Sequence, residues 1–121
     1  MELDGAKISR VGAELDGHPY IAILLELPNA CVAFISEGRL RMGTLAIAMP
    51  PREALLPRGP TSAVVMGEKF ALLTRLLAER LASSLGKISL LSLWAEGSEA
   101  EVGDRAMKML KKLLEEVSHE P

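Results

Sequence analysis

Few side chains in this chain could carry chemistry, and each has a plain structural explanation beside it. Cys31 and His18 would make a thiolate–imidazole pair if a fold joined them, yet nothing in the sequence supplies a third group to orient the base. Cys31 opens the apolar run Cys31–Ile35, where a thiol is buried and inert. His18 follows an Asp16-Gly17 turn and His119 lies in the C-terminal tail, neither with a second ligand at metal spacing. Gly38 and Gly43 are spaced as Gly-x-x-x-x-Gly, but no Lys-Ser/Thr follows and a strand comes next, so a turn explains them better than a phosphate cradle. Val65-Met66-Gly67 precedes a helix and could face an anion, although a strand-to-helix junction needs no ligand. These readings predict no catalytic residue, no metal site and no cofactor.

What remains is a set of arginines. Arg39, Arg41, Arg52 and Arg58 fall between residues 37 and 60, opposed only by Glu37 and Glu53. Residues 1–30 hold two basic and five acidic groups, a net −3, and residues 96–121 also sum to −3. A basic middle between acidic ends suits an acidic protein surface, since guanidinium groups grip carboxylates in bidentate fashion. The four are candidate partner-binding residues; a solvated loop face is the alternative. The net charge of −2 argues against non-specific nucleic-acid binding.

The chain must position these groups with an aliphatic core, because 49% of its 121 residues are hydrophobic and only 3% aromatic. That length predicts one domain over residues 1–121. No apolar run reaches the roughly 20 residues of a membrane span. The acidic start, Met1-Glu2-Leu3-Asp4, is not a signal peptide, and a lone cysteine makes no internal disulfide, so a cytoplasmic protein is expected. There is no Gln and a single Asn, Asn29, a depletion of amides that fits a thermophilic source.

Taken in order, residues 6–15 alternate loosely and read as an edge strand, and Asp16-Gly17 turns it into Pro19–Leu27. Cys31–Ile35 and Thr44–Met49 follow after short turns, which predicts a four-strand antiparallel meander. In Thr44–Met49 the bulky Leu45, Ile47 and Met49 alternate with Thr44, Ala46 and Ala48. The bulky side is expected against helices, and the thin side open to something else. Pro50 to Pro60 is a proline-rich loop that Leu55 and Leu56 could anchor, and Thr61–Met66 a fifth strand. Glu68–Leu85 repeats apolar residues at helical period and ends at Gly86. Lys87–Trp94 is a sixth strand. Ser98-Glu99-Ala100-Glu101 is a capping box opening a last helix, whose outer face pairs Glu101 with Arg105, Asp104 with Lys108, Lys111 with Glu115 and Lys112 with Glu116.

The expected fold is therefore α+β, a mainly antiparallel sheet of about six strands with two helices packed on one face, in the order β-β-β-β-β-α-β-α. Strands such as Pro19–Leu27 are apolar on both faces, while two helices can cover only one. An apolar sheet face of that size predicts a dimer.

The order of elements, with Gly38, Met42-Gly43-Thr44-Leu45 and the Val64-Val65-Met66-Gly67 strand end, resembles the third of the proteasome assembly chaperones. The resemblance runs from about Gly17 to Val117. It implies a small non-enzymatic protein that dimerises through its sheet, with itself or a related chaperone subunit. It also implies binding of proteasome α-subunits and promotion of α-ring assembly. The alternative from another class is a dimeric α+β scaffold or regulatory module unrelated to the proteasome; a small enzyme using Cys31 or His18 comes last.

Overall fold

The computed structural model describes residues 2–51 and 61–118. The strands are β1 (Glu2–Leu3), β2 (Ala6–Leu15), β3 (His18–Glu26), β4 (Ala30–Glu37), β5 (Thr44–Met49), β6 (Thr61–Met66) and β7 (Ile88–Trp94). The helices are α1 (Ala71–Leu85) and α2 (Glu99–Ser118). The protein is α+β, and the element order is the expected one preceded by the two-residue β1. One sheet runs β1-β2-β3-β4-β7-β5-β6.

That order overturns the four-strand meander. β2, β3 and β4 do follow one another antiparallel, but β7 lies between β4 and β5, parallel to β4 and antiparallel to β5. Local patterning reveals strands and their turns, whereas insertion of a late strand between two earlier ones is decided by long-range packing.

Both helices cover the same face. Through the register, Ala22 pairs with Ile35, Ile35 with Leu93, and Leu93 with Thr44, so these residues share one side. All four are buried, as are Leu24, Ala33, Ala46, Ala48 and Leu91 beside them. α1 contacts β5, β6 and β7, and α2 contacts β2, β3 and β4. Leu73, Leu77 and Leu81 from α1 and Met109, Leu110 and Leu113 from α2 fill the space over this face. Burying one such side chain contributes about 1.5–3 kcal/mol.

In β5 the faces are the reverse of the expectation. Thr44, Ala46 and Ala48 are buried under α1, and Leu45, Ile47 and Met49 are only half-buried on the other side. The helix supplies the large side chains, so the strand beneath it must be thin for close packing.

Local signals set the end of α1 and the start of α2. Gly86 closes α1 in the left-handed conformation, its N–H bonded to Ala82 O. α1 starts at Ala71 rather than Glu68, because Phe70 is left-handed and the Thr44 hydroxyl bonds Lys69 O, holding Glu68–Phe70 in a turn. In α2 the capping box forms: the Glu101 N–H donates to Ser98 Oγ at 3.2 Å and the Ser98 N–H to Glu101 Oε1 at 3.4 Å. Lys108 pairs with Asp104, and Arg105 lies 3.7 Å from Glu101. Arg105 is not on the outer face, however; it is only 5% exposed and turns inward towards Asp16 in the first hairpin.

Candidate interaction surface

The Gly38–Gly43 segment carries the chain from the end of β4 across β7 to β5. Two serines in otherwise apolar strands hold it. Ser36 Oγ donates to Arg39 O at 2.6 Å and accepts from the Arg41 N–H at 3.2 Å, and the Gly43 N–H donates to Ser92 Oγ at 2.9 Å. Gly43 has no alternative residue here, because a Cβ would fall 2.0 Å from Leu93 O. The Arg41 guanidinium lies 4.4 Å above the Trp94 ring centre, a cation–π contact.

By register, Ser36, Ser92 and Trp94 stand on the sheet face away from the helices. The arginine turn therefore rests on one end of that face, with Arg39, Leu40, Arg41 and Met42 all exposed. Arg41 is committed to Trp94, while the Arg39 guanidinium has no ion pair among the described residues. Beside the turn opens a cleft of about 410 Å³ between Met42–Thr44, Gly67–Phe70 and Leu93–Glu96.

The rest of the face is a field of half-buried apolar side chains. Ile21, Ile23 and Leu25 of β3 adjoin Val32 and Phe34 of β4; Leu90 of β7 adjoins Leu45 and Ile47 of β5. Among the described residues no helix lies over them, and across β3, β4, β7 and β5 the field carries no charged side chain.

On the helix side, the same end of the sheet closes with a polar cluster. His18 donates from Nδ1 to Glu37 Oε2 at 3.1 Å, and the Glu96 N–H donates to Glu37 Oε1. Burial alone would raise Glu37, but these bonds outweigh it and hold the carboxyl below its usual range. The neighbouring Tyr20 hydroxyl is buried without a hydrogen bond of normal geometry among the described residues, and burial raises it above the ordinary phenol value.

The structure does not bring Cys31 and His18 together. Cys31 pairs with Glu26 at one end of β3, and His18 begins that strand at the other, about 26 Å away along a strand of this length. The Cys31 thiol lies 2.9 Å from Ser89 Oγ, and burial pushes its pKa up, away from thiolate. Of the four candidate arginines, Arg39 and Arg41 share the turn. Arg52 and Arg58, with Leu55, Leu56 and most of their loop, lie outside the described residues, as does His119. Thr44 of the Met42–Leu45 motif faces the helices and Leu45 the open side. The sequence reading missed Ser36 and Ser92, although hydroxyls inside apolar strands are the signal that would have found them.

No family model matches the chain, and no curated protein matches it. Among solved structures, a chain in the crystal structure of a chaperone complex for yeast 20S proteasome assembly superposes with a TM-score of 0.64. The match covers 92% of this chain and 95% of that one at 10% sequence identity. At that identity the likeness is one of fold, and it spans nearly the whole length of both chains. Among the described residues, no helix is long and apolar enough to cross a membrane.

Proposed function

We propose that this single-domain protein is a non-enzymatic, cytoplasmic chaperone of proteasome assembly. In this reading it dimerises through the open sheet face and binds proteasome α-subunits through the arginine turn, promoting α-ring assembly. The observation that carries the proposal is the full-length likeness in fold to a chain of a yeast 20S proteasome assembly chaperone complex. The open face adds support of its own. Soluble monomers rarely leave contiguous apolar patches beyond a few hundred Å², and a second copy covers an apolar face without needing charges to pair. A dimer would present two fixed surfaces, hold α-subunits in register, and raise their effective concentration for ring closure. Arg39 is the more available of the two turn arginines for carboxylates on the client, because Arg41 is stacked on Trp94. Arg52 and Arg58 form the second candidate pair.

The test is binding of purified α-subunit by the Arg39→Glu/Arg41→Glu double variant, with dimerisation measured in parallel. The expected result is an intact dimer, an affinity at least tenfold lower at low salt, and a flatter salt dependence. Parental affinity at low salt would leave the segment as a turn and move attention to Arg52 and Arg58. If the parent captures proteins other than α-subunits from its own cells, the unrelated scaffold reading takes its place.

A further inference from the structure

The two edges of the sheet are finished differently. At one edge β2 carries Lys7, Arg10 and Glu14 and is bordered at one end by the two-residue β1; charges and a very short edge strand are devices that keep other strands from adding on. At the other edge β6 reads Thr-Ser-Ala-Val-Val-Met, with no charge and no proline. Among the described residues it pairs with β5 alone, with a register shift that leaves Val65 out of the ladder, and its outer backbone groups have no strand partner there. Val65 is 56% exposed and Met66 48%.

α1, which packs mainly over β5 and β7, also reaches this edge. Arg75 donates from Nε to Ser62 Oγ at 3.1 Å, and the Ser62 hydroxyl donates to Glu79. One cation and one anion, a helical turn apart, thus flank the edge, each tied to a neutral hydroxyl. Leu72 stands beside them, 58% exposed.

We infer that the β6 edge is a docking surface for a second copy of this chain. A two-fold axis perpendicular to the sheet sets β6 antiparallel to its copy, satisfying the open backbone groups and extending the sheet. The same axis sets the two α1 helices antiparallel, so Arg75 of one faces Glu79 of the other, and the reverse. The pattern is self-complementary, as an isologous contact requires. This goes beyond the proposed function, because the open-face contact uses a different two-fold, lying between stacked sheets. The two axes are perpendicular, and where they intersect their combination closes as a tetramer, two extended sheets stacked face to face.

The experiment is sedimentation equilibrium across a concentration series on the parent and on variants of each surface, with folding checked by circular dichroism. The parent is expected to reach four times 13.0 kDa. Val65→Lys, which puts a charge on the edge, and Arg75→Glu, which sets like charges opposite each other, are each expected to stop at the dimer. The swap Arg75→Glu/Glu79→Arg is expected to restore the tetramer. Ile23→Lys with Ile47→Lys, on the open face, is expected to leave a dimer that Val65→Lys then splits. A parent dimer that both edge variants leave intact overturns the inference, as does a tetramer indifferent to both edge variants. If the open-face variant is monomeric, the edge contact fails while the open-face reading stands. If the open-face variant instead matches the parent, the open-face reading fails while the edge contact stands.

Discussion

The two faces of the sheet differ in side-chain size, and the difference follows from what covers each. Under the helices the strands show Ala22, Ala33, Ala46, Ala48 and Ser89, all fully buried. On the open side the same strands show Ile21, Ile23, Phe34, Leu45, Ile47 and Leu90, none fully buried. That side also holds Leu24, Ile35, Leu91 and Leu93, so its small residues, in β5 above all, are the places that leave room for the leucines a helix brings. A second sheet brings no helical ridge; it stacks about 10 Å away, a gap that large side chains from both sides must fill. In β5 small residues therefore mark the helix side, and large ones the open side.

The contrast can be attacked first where the large side chains meet the thin face. Leu77→Ala removes a fully buried leucine over β5 and β7 and is expected to cost about 2–5 kcal/mol in denaturant unfolding. The converse change, Ala46→Leu, thickens the thin face and is expected to cost about 1–3 kcal/mol, by forcing α1 off the sheet. Ile47→Leu, one residue along and on the open side, keeps its volume and is expected to cost less than about 1.5 kcal/mol. Equal losses for Ala46→Leu and Ile47→Leu would mean that the two faces are not packed differently.

A smaller effect separates the faces by pH. Glu37 lies on the helix side with Tyr20, and its carboxyl is held below its usual value by His18 and the Glu96 N–H. A lowered folded pKa gives stability that is present above the ordinary carboxylate value and is lost as pH falls through the folded one. Glu37→Gln is therefore expected to lower the unfolding midpoint at about pH 7, with the difference from the parent shrinking towards about pH 3. A difference that stays constant with pH would make the cluster a packing contact only.

Much of this architecture was legible because it depends on neighbours in sequence. The capping box at Ser98, the Gly86 helix end and the Asp16-Gly17 hairpin each act within a few residues, and α2 shows its apolar stripe in period alone. The orientation of β5 was not legible. Its alternation is equally clear either way, and only the leucines of α1, some 30 residues later, decide which side lies inside. The start of α1 was hidden for a similar reason, since the Thr44 hydroxyl that holds the preceding turn comes from β5. Of the candidate site, the exposure of Arg39 and Arg41 could be read from composition and turn residues. Their unequal freedom could not, because it rests on Trp94, which the fold carries to Arg41 from a strand some fifty residues away.

The place of β7 also orders events in time. As the chain leaves the ribosome, β2, β3 and β4 can pair as soon as they emerge, because their contacts are sequential. β5 and β6 can pair with each other and receive α1, yet this second unit has no edge in common with the first. Until Ile88–Trp94 emerges, β4 and β5 both expose unpaired apolar edges, the condition in which strands find wrong partners. One strand made after the other six described strands closes both edges at once, so a nascent chain halted before it holds two half-sheets rather than one sheet.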